Sequence, residues 1–423
     1  MVILAALAGG IGPACSKSGP DYGSLACLDG WPAAPAPAQA ASLTVTPSVL
    51  WQVNLGQIAT PGQPGVALSN DRIIASGGAG WVSLDRMTGA KLAMGSTRPD
   101  PQNYFLGAPV VDEQGGIYVQ SHVSIYAFAG DGSLRWSWAI PGQNQSSEPW
   151  GGDFMPSLVG NGQILFGSST RPTQLITSTS GPKQLWSSVL GTSSLIGHWG
   201  LGYDGTASYV LDLRTGKGAG RLHAPNGHDV VALLPLSGRG ILAMDRDNTT
   251  ALNLVMLDTC GNASWSLAIP GSKVCTGASV VGPGEIIYMG IGSCNGGQPA
   301  PEIIGVGTDG KIVSGPVAST RAPWIAGADG TVYTINLNAL TPPSTLAALS
   351  PALETLWTLD LPGVFSNSAT AVLADDGILY AQMSTTAGNE IIAIQTTSPG
   401  LASSSWPSRR HDNRSSNWAA GPF

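Results

Sequence analysis

Short apolar segments recur along the chain, each directly after a turn rich in glycine, aspartate or asparagine. Apolar residues that follow such a turn are typical of a half-buried strand entered from a hairpin. The pattern therefore predicts many short antiparallel strands. Seven segments have this form: NDRIIAS at 70, EQGGIYVQS at 113, GNGQILFGS at 160, SGRGILAM at 237, GPGEIIYMG at 282, GADGTVYTI at 327 and ADDGILYAQ at 374.

A second pattern follows each of these strands by about 15 to 20 residues. It is a turn in which aspartate or threonine can cap the backbone amides, while a closing glycine adopts the positive φ of a tight bend. The clearest cases close at Gly89, Gly132, Gly216, Gly261 and Gly310. A tryptophan often follows a few residues later, at Trp136, Trp186, Trp265, Trp357 and Trp406.

The intervals between these landmarks predict the architecture. Gly89 and Gly132 are 43 residues apart, Gly216 and Gly261 are 45 apart, and Trp51 and Trp136 are 85 apart, or two units. A period near 45 with four strands per unit is typical of an all-β fold, the β-propeller. Residues 50–405 hold about eight such blades, and seven is the alternative. The fourth unit, HWGLGYDGTASYVLDLRTG, is compressed and does not show its first hairpin.

Composition agrees with a chain of strands and turns. Charged residues are 11% of the total, and the chain contains 57 glycines and 31 prolines. A net charge of −7 argues against a nucleic-acid partner, which normally requires a basic stripe. A β-sandwich or a parallel β-helix would not produce a period of this length.

The N-terminal region predicts export. Residues 1–14 form an apolar run that is too short to span a bilayer and suits a signal peptide. Small residues precede Cys15, as in bacterial lipoproteins, so we expect Cys15 to be lipidated; a plainly secreted protein and a buried N-terminus are the alternatives. Residues 15–48 are then a Pro/Ala-rich spacer between anchor and domain, and residues 49–418 are the propeller.

Four further cysteines, Cys27, Cys260, Cys275 and Cys294, suggest disulfides in an exported protein, with three connectivities open. The last three lie close in sequence, so we expect a bridge among them. The sequence contains no C-x-x-C pair, the spacing that would favour a metal site.

The repeat resembles that of the quinoprotein-type, or PQQ-like, propellers. The best match is PVVDEQGGIYVQSHVSIYAFAGDGSLRWSW (109–138), and VSLDRMTGAKL, YVLDLRTGK and VMLDTCGNASW match its second half. The resemblance implies the fold and offers PQQ with calcium as an alternative cofactor. Dehydrogenases of this family commonly carry an adjacent cysteine pair, which this sequence lacks. We therefore assign no catalytic, cofactor-binding or metal-binding residue.

The family also often carries a segment similar to WPSRRHDNRSSNW (406–418) beside its last blade. We expect this segment to close the propeller, since its side chains can form charge-assisted hydrogen bonds; an anion or catalytic site is the alternative. The closure residues are Trp406, Arg409, Arg410, His411 and Asp412.

Three tryptophans lie outside the repeat position, in Gly/Pro-rich contexts. If loops carried them to one rim, they would form a platform for a peptide or a sugar; packing inside the propeller is the alternative. They are Trp150, Trp199 and Trp324.

These features favour a monomeric, non-catalytic binding or assembly scaffold of the bacterial envelope, located at the outer membrane, in the periplasm or outside the cell. Its plan is similar to that of the propeller lipoprotein of the outer-membrane β-barrel assembly machinery. The expected partner is an envelope protein or a glycan. A PQQ-dependent dehydrogenase or other propeller enzyme, and a cell-surface carbohydrate-binding protein, are the alternatives.

Overall fold

The structure is a computed structural model of the 423-residue chain. It describes residues 25–56, 65–69, 71–77, 80–96, 105–121, 124–140, 156–159, 162–166, 173–177, 181–188, 191–203, 207–245, 251–270, 273–292, 302–318, 322–335, 343–365, 371–408 and 418–419.

Eight antiparallel sheets form the fold, and each is a blade of four consecutive strands except the last, which takes one strand from the N-terminus. Blade 1 consists of β2 (Gly65–Ser69), β3 (Arg72–Gly77), β4 (Gly80–Asp85) and β5 (Lys91–Ser96), and blade 2 consists of β6 (Phe105–Val111), β7 (Ile117–Ser121), β8 (Ser124–Phe128) and β9 (Leu134–Ala139). Blade 3 consists of β10 (Ser157–Val159), β11 (Gln163–Phe166), β12 (Thr173–Thr177) and β13 (Gln184–Ser188). Blade 4 consists of β14 (Gly191–Ile196), β15 (Trp199–Tyr203), β16 (Ser208–Asp212) and β17 (Lys217–Arg221).

Blades 5 to 8 complete the ring, and a short tail strand, β33 (Trp418–Ala419), adds to blade 4. Blade 5 consists of β18 (Val230–Leu236), β19 (Gly240–Asp245), β20 (Ala251–Leu257) and β21 (Ala263–Pro270), and blade 6 consists of β22 (Lys273–Val281), β23 (Ile287–Gly292), β24 (Glu302–Val306) and β25 (Ile312–Ala318), with a 3-10 turn at Pro283–Glu285. Blade 7 consists of β26 (Ala322–Ala326), β27 (Val332–Ile335), β28 (Ser344–Leu349) and β29 (Thr355–Leu361). Blade 8 consists of β30 (Ala371–Leu373), β31 (Ile378–Thr385), β32 (Gly388–Gln395) and β1 (Ser48–Asn54).

The eight sheets are arranged as an eight-bladed β-propeller, which confirms the prediction from the 45-residue period and rules out seven blades. The first strands of neighbouring blades contact each other, as β2 does with β6 and with β30, so these strands surround the axis. Each recurring apolar segment is a second strand, and all five residues of β7 are buried. The missing hairpin of blade 4 lies between β14 and β15, where Gly197 has a φ of 53°.

Ring closure is made by the N-terminal strand. β1 pairs antiparallel with β32, from Ser48 opposite Gln395 to Asn54 opposite Glu390, and becomes the outer strand of blade 8. Trp51 on this strand occupies the repeat position that the spacing had suggested for Trp406. The last blade therefore combines both ends of the propeller sequence.

Tryptophans of the outer strands connect one blade to the next. The indole N–H of Trp186 donates to the carbonyl of Leu213 in blade 4 (2.8 Å), and a Cβ on Gly216 would lie 2.5 Å from the same ring. Trp265 donates to Thr308 of blade 6 (3.1 Å) in the same way. Trp51 and Trp357 donate to Arg86 of blade 1 and Thr397 of blade 8. The turn glycine is thus required for contact with the indole as well as for its positive φ.

This contact predicts the cost of filling the glycine position. Gly310→Ala places a Cβ 2.6 Å from the ring of Trp265 at a φ of 77°, so we expect the free energy of unfolding to fall by about 2–4 kcal/mol. Gly115→Ala is the matched control, because its φ is 78° but nothing lies within 4 Å of its Cβ; it should lose only about 1 kcal/mol. Urea unfolding of both variants measures the difference. Equal losses would show that the indole contact adds nothing.

One face of the ring carries two sets of turns, and we call it the turn face. Because neighbouring strands are antiparallel, the turn between the first and second strands and the turn between the third and fourth lie at the same end of a blade. In blade 5 these are residues 237–239 and 258–262. Residues 25–47 and 401–408, the described parts of the chain on either side of the propeller sequence, pack against this face.

The N-terminal segment, residues 25–47, is part of the predicted spacer and lies across the turn face. Trp31 donates its indole N–H to the carbonyl of Leu236 (2.9 Å) in blade 5. The N–H of Ala40 bonds to Ala328 of blade 7 (2.8 Å). Gln39 and Ser42 both bond to Asp329, through its carbonyl and its carboxylate respectively. Apolar and indole side chains in this Pro/Ala-rich stretch explain why it docks on the propeller.

The C-terminal tail, residues 401–408 with β33, runs from blade 8 toward the axis. Gly327 pairs with Leu401 and Ile325 pairs with Ser408, both by isolated antiparallel bridges. β33 pairs in parallel with the inner strand β14, on the edge that faces the axis. The tail therefore occupies the axis-facing edges of blades 7 and 4. None of the described residues forms a helix long and apolar enough to cross a membrane.

Candidate binding groove at the junction of blades 4 and 5

The outer strand of blade 4, like those of blades 1 and 6, lacks the tryptophan that connects blades 3, 5, 7 and 8 to their neighbours. Its sequence is KGAGR (217–221), and Gly220 pairs with Val210, two residues before the turn aspartate Asp212. In blade 5 the corresponding pair is Trp265 with Met256, two residues before Asp258. Gly220 has a φ of 155°, a conformation that other residues rarely adopt. This strand therefore supplies no indole to blade 5.

A groove of about 500 Å³ lies at the junction of blades 4 and 5. Its volume falls within the range of small-ligand sites. One wall comes from blade 4 and the hairpin that leaves it, and the other from the turn of blade 5 and the N-terminal segment. The lining residues are Leu25, Arg221, His223, Ala224, Pro225, Cys260, Gly261, Asn262 and Ala263.

The N-terminal segment lines part of this groove through Leu25. Leu25 lies 3.4 Å from the position of a Cβ on Gly261, which is the place that a tryptophan ring takes in other blades. The N–H of Leu28 donates to the carbonyl of Thr259 (2.8 Å) in the same turn. A disulfide between Cys27 and Cys260 fixes this contact covalently. The segment thus covers the turn that blade 4 leaves bare.

The turn of blade 5 keeps the form that receives an indole elsewhere. The carboxylate of Asp258 accepts the N–H groups of Cys260 (2.9 Å) and Asn262 (2.8 Å), and Gly261 has a φ of 80°. These hydrogen bonds outweigh burial and lower the pKa of Asp258. The turn therefore has the same form as the turns that contact a tryptophan, although the preceding blade supplies none.

The opposite wall is a hairpin, HAPNGHD (223–229), with an ionic pair at its base. Arg221 forms a salt bridge with Asp229, and its guanidinium lies 6.0 Å from the ring centroid of Tyr209. Nδ1 of His223 lies 3.5 Å from the Asp229 carboxylate. That ring nitrogen is buried and makes no hydrogen bond to the described residues. Because Nδ1 is buried beside Asp229, the hairpin does not expose it to the groove.

A second histidine of the hairpin is held by blade 5. Nδ1 of His228 lies 3.3 Å from the carboxylate of Asp245, which also accepts a hydrogen bond from Asn226 (3.0 Å). His228 therefore connects the hairpin after blade 4 to β19 of blade 5. The groove lining itself contains no hydroxyl nucleophile, and its cysteine is in the disulfide.

An ionic cluster beside the groove anchors the N-terminal segment to blade 4. Asp29 lies 3.1 Å from Nε2 of the buried His198 and 3.6 Å from Arg214. The hydrogen bond from His198, with the charge of Arg214, lowers the pKa of Asp29 despite some desolvation. The indole of Trp199 donates to the carbonyl of Asp29 (2.7 Å). His198 and Trp199 therefore bind the chain's own terminus.

Two of the three tryptophans considered for a platform, Trp199 and Trp324, are packed inside the propeller, which was the alternative reading of their sequence context. Trp199 is 6% exposed, and Trp324 is 2% exposed and packs edge-on against Phe365. Neither offers an exposed ring to a partner, because each fills the interior beside an inner strand. Trp150 lies outside the described residues.

The tail places Trp406 in the core and a carboxylate beside it. Trp406 is 2% exposed among aliphatic residues of blades 4 to 6, and its carbonyl accepts the N–H of Val281 (2.7 Å). Glu285 accepts both the N–H and the hydroxyl of Ser405, while burial raises its pKa. The remaining closure residues, Arg409, Arg410, His411 and Asp412, lie outside the described residues.

Sequence reasoning expected a bridge among the three late cysteines and did not single out Cys27 with Cys260. Cys294 and the side chain of Cys275 lie outside the description, as does Cys15, so their roles stay predictions. Within the described part of the chain, no group of three or more His, Cys, Asp or Glu residues is placed to hold a metal ion. The absent tryptophan in KGAGR did not single out the groove, because the outer strands KLAMGS and IVSGPVA lack a tryptophan as well.

Comparison with known proteins rests on structure. No family model and no curated protein matches the sequence. The chain is similar to the crystal structure of BamB from Moraxella catarrhalis, with a TM-score of 0.54 and 12% sequence identity, over 83% of this chain and 100% of that chain. At this identity the likeness shows the fold. It covers the propeller and leaves the groove to be interpreted from its own residues.

Proposed function

We propose that the protein is a propeller of the PQQ-like repeat type that serves as a non-catalytic binding scaffold in the bacterial envelope, anchored by a lipid on Cys15. The observation that carries the proposal is the covalent attachment of the N-terminal segment to blade 5. A disulfide of this kind persists in an oxidising compartment, which supports export. The likeness in fold to BamB agrees with an envelope scaffold.

The attachment would set how the propeller sits on a membrane. Cys27 follows Cys15 by only twelve positions, so a fully extended tether would reach about 40 Å. Because Cys27 is fixed on the turn face, the anchor holds that face toward the bilayer. The opposite face and the rim are then presented to partners.

Metabolic labelling with palmitate tests the anchor. We expect the full chain, expressed with its own N-terminus in a bacterial host, to incorporate the label and to fractionate with membranes. Cys15→Ser should abolish both, whereas Cys27→Ser should retain the label because it removes only the disulfide. Labelling that is unchanged in Cys15→Ser would refute lipidation at this cysteine.

The described residues do not fit PQQ with calcium at the turn-face end of the axis. The axis-facing edges of β14 and β26 are paired with the chain's own tail. Glu285, a buried carboxylate next to the tail, is hydrogen bonded to Ser405. We therefore derive no redox step. Titration with PQQ and calcium while following the thermal midpoint tests the alternative, which requires a rise in that midpoint.

The partner class is separable by a pull-down from envelope extracts. A protein partner should be lost after protease treatment of the extract, and a glycan partner after glycosidase treatment. Capture that survives protease and is lost with glycosidase would favour the carbohydrate-binding alternative over a protein scaffold.

A further inference from the structure

We propose that the outer edge of the turn face is a membrane contact, where a belt of exposed apolar side chains inserts into the surface of a lipid bilayer. The contact rests on the anchored scaffold proposed above, since the lipid on Cys15 would bring this face to the membrane.

The outer strands of the blades all begin at the turn face. The third-to-fourth-strand turns of blades 1 to 7 lie there, and β1 begins there too, since Ser48 pairs with Gln395, which pairs with Ile378. Among the described residues, eleven large apolar side chains are exposed. Ten of them lie in the N-terminal segment, in a turn-face turn or among the first three residues of an outer strand; the other, Met94, is the fourth residue of β5.

Six of the eight blades contribute to this set, which we call the apolar belt. Blades 4 and 5 contribute none among the described residues, and their outer strands begin with KG and AS. These two blades are where the disulfide fixes the N-terminal segment. The belt is represented, from blade 8 through blades 1, 2, 3, 6 and 7, by Leu50, Leu92, Leu134, Leu185, Ile312 and Leu356.

The far halves of the same strands expose small or polar residues instead. In β9 the exposed Leu134 is followed by exposed Ser137 and Ala139, and in β29 the exposed Leu356 is followed by exposed Thr358. Water surrounding the whole strand would not favour leucine at one end only, because a large exposed apolar side chain gains nothing from water. The turn-face edge is therefore suited to a less polar medium than the rest of the outer surface.

A bilayer fits the distribution of the belt better than a protein partner does. The belt residues surround one face of the ring, so a single flat surface can contact all of them, whereas a protein of standard interface size covers one contiguous patch. Cys27 is fixed on the same face and follows Cys15 by only twelve positions, so a lipid there would keep the belt near the bilayer.

Basic side chains lie next to belt residues in sequence. Lys91 precedes Leu92 and Arg135 follows Leu134, and both basic residues are exposed. The carboxylate of Asp85, in the turn before Lys91, accepts an N–H group of its own turn (2.8 Å). Long basic side chains can reach lipid phosphates while their apolar neighbours enter the boundary between headgroups and acyl chains.

Site-specific photocrosslinking of the full chain in bacterial membranes tests the contact. The photoreactive residue p-benzoyl-L-phenylalanine replaces Leu134 or Leu356 in the belt, and the matched controls place it at Ala139 or Thr358 of the same two strands. Cells are grown with ³²P-phosphate before irradiation. We expect the ³²P-labelled adduct to be about tenfold or more as abundant at the belt positions as at the controls. The label reports crosslinked phospholipid, because an acylated cysteine contains no phosphate.

Each variant is first required to keep the unfolding midpoint of the wild-type protein by circular dichroism; Leu185 with Ser187 as control replaces a pair that fails. Equal ³²P yields at belt and control positions, or no labelled adduct at the belt, would overturn the proposal. Adducts to a protein at the belt positions would also overturn it and assign the belt to a protein partner. Palmitate incorporation without a ³²P adduct leaves the anchor standing and removes the belt, whereas a ³²P adduct in a chain that takes up no palmitate does the reverse.

Discussion

Deleting residues 406–423 is expected to destabilise the whole propeller, by about 5 kcal/mol or more. Trp406 is buried among residues of three blades, and truncation of a tryptophan in such a core costs about 3–5 kcal/mol by itself. The deletion also removes the carbonyls of Trp406 and Pro407, which accept the N–H groups of Val281 and Ala326. Each buried N–H left without a partner costs about 1–3 kcal/mol.

Thermal unfolding followed by circular dichroism measures the effect. Because the lost contacts lie in blades 4 to 7, we expect the loss to appear in one cooperative transition, with a midpoint lower by about 10 °C or more. Removal of residues 420–423 alone, which takes away no described contact, is the control. A 406–423 deletion with unchanged stability and a lost binding activity would instead identify the tail as a site.

The same segment shows why sequence spacing gave the right blades and misplaced one tryptophan. Trp406 follows Trp357 by 49 residues, close to one period, and so resembles the next repeat position. The true occupant is Trp51, since β1 pairs with β32 and closes the ring from the other end of the chain. A linear period contains no information on which terminus completes the last blade.

Local signals predicted what local chemistry determines. The turns ending at Gly89, Gly216 and Gly310 appear where the aspartate and glycine pattern placed them, since capping and positive φ involve only a few adjacent residues. The first hairpin of blade 4 was missed because HWGLGY has no apolar triplet; Trp199 takes part of that role and is buried beneath the terminus.

Contacts between distant segments were beyond the sequence. Cys27 and Cys260 are 233 residues apart, and nothing near either residue specifies the other. The Pro/Ala-rich composition of residues 32–47 predicted a spacer. It did not predict that backbone groups of this segment hydrogen bond to blades 5, 7 and 8. Docking depends on where the turns meet in space, which one chain's spacing does not encode.

The groove connects these two observations. A blade whose outer strand is made of small residues cannot cover its neighbour's turn, and the N-terminal segment covers part of it through Leu25 and Leu28. The disulfide is therefore placed at a junction that no outer-strand tryptophan covers. We therefore expect the bridge to stabilise the propeller as well as to order the N-terminal segment.

Replacing both cysteines by alanine is expected to lower the free energy of unfolding by about 3–5 kcal/mol. A bridge across 233 residues removes much of the conformational entropy of the unfolded chain, and the loss of Leu25 and Leu28 from the turn adds to the effect. Cys27→Ala and Cys260→Ala singly should each cost as much as the double variant, because either one breaks the bond. Urea unfolding with and without reductant measures this.

The location of the disulfide gives the decisive comparison. If the bridge acts mainly by holding the segment on blade 5, Leu25→Ala in the oxidised protein should reproduce part of the loss in the free energy of unfolding, because it removes a contact that the bridge maintains. The free energy lost on adding reductant should then be the same in Gly310→Ala as in the wild-type protein. The two effects should add, because Gly310 lies at the contact of Trp265 with blade 6 and the bridge lies on blade 5. Stability that is equal in oxidised and reduced wild-type protein would mean that the noncovalent anchors at Asp29 and Trp31 suffice to hold the terminus.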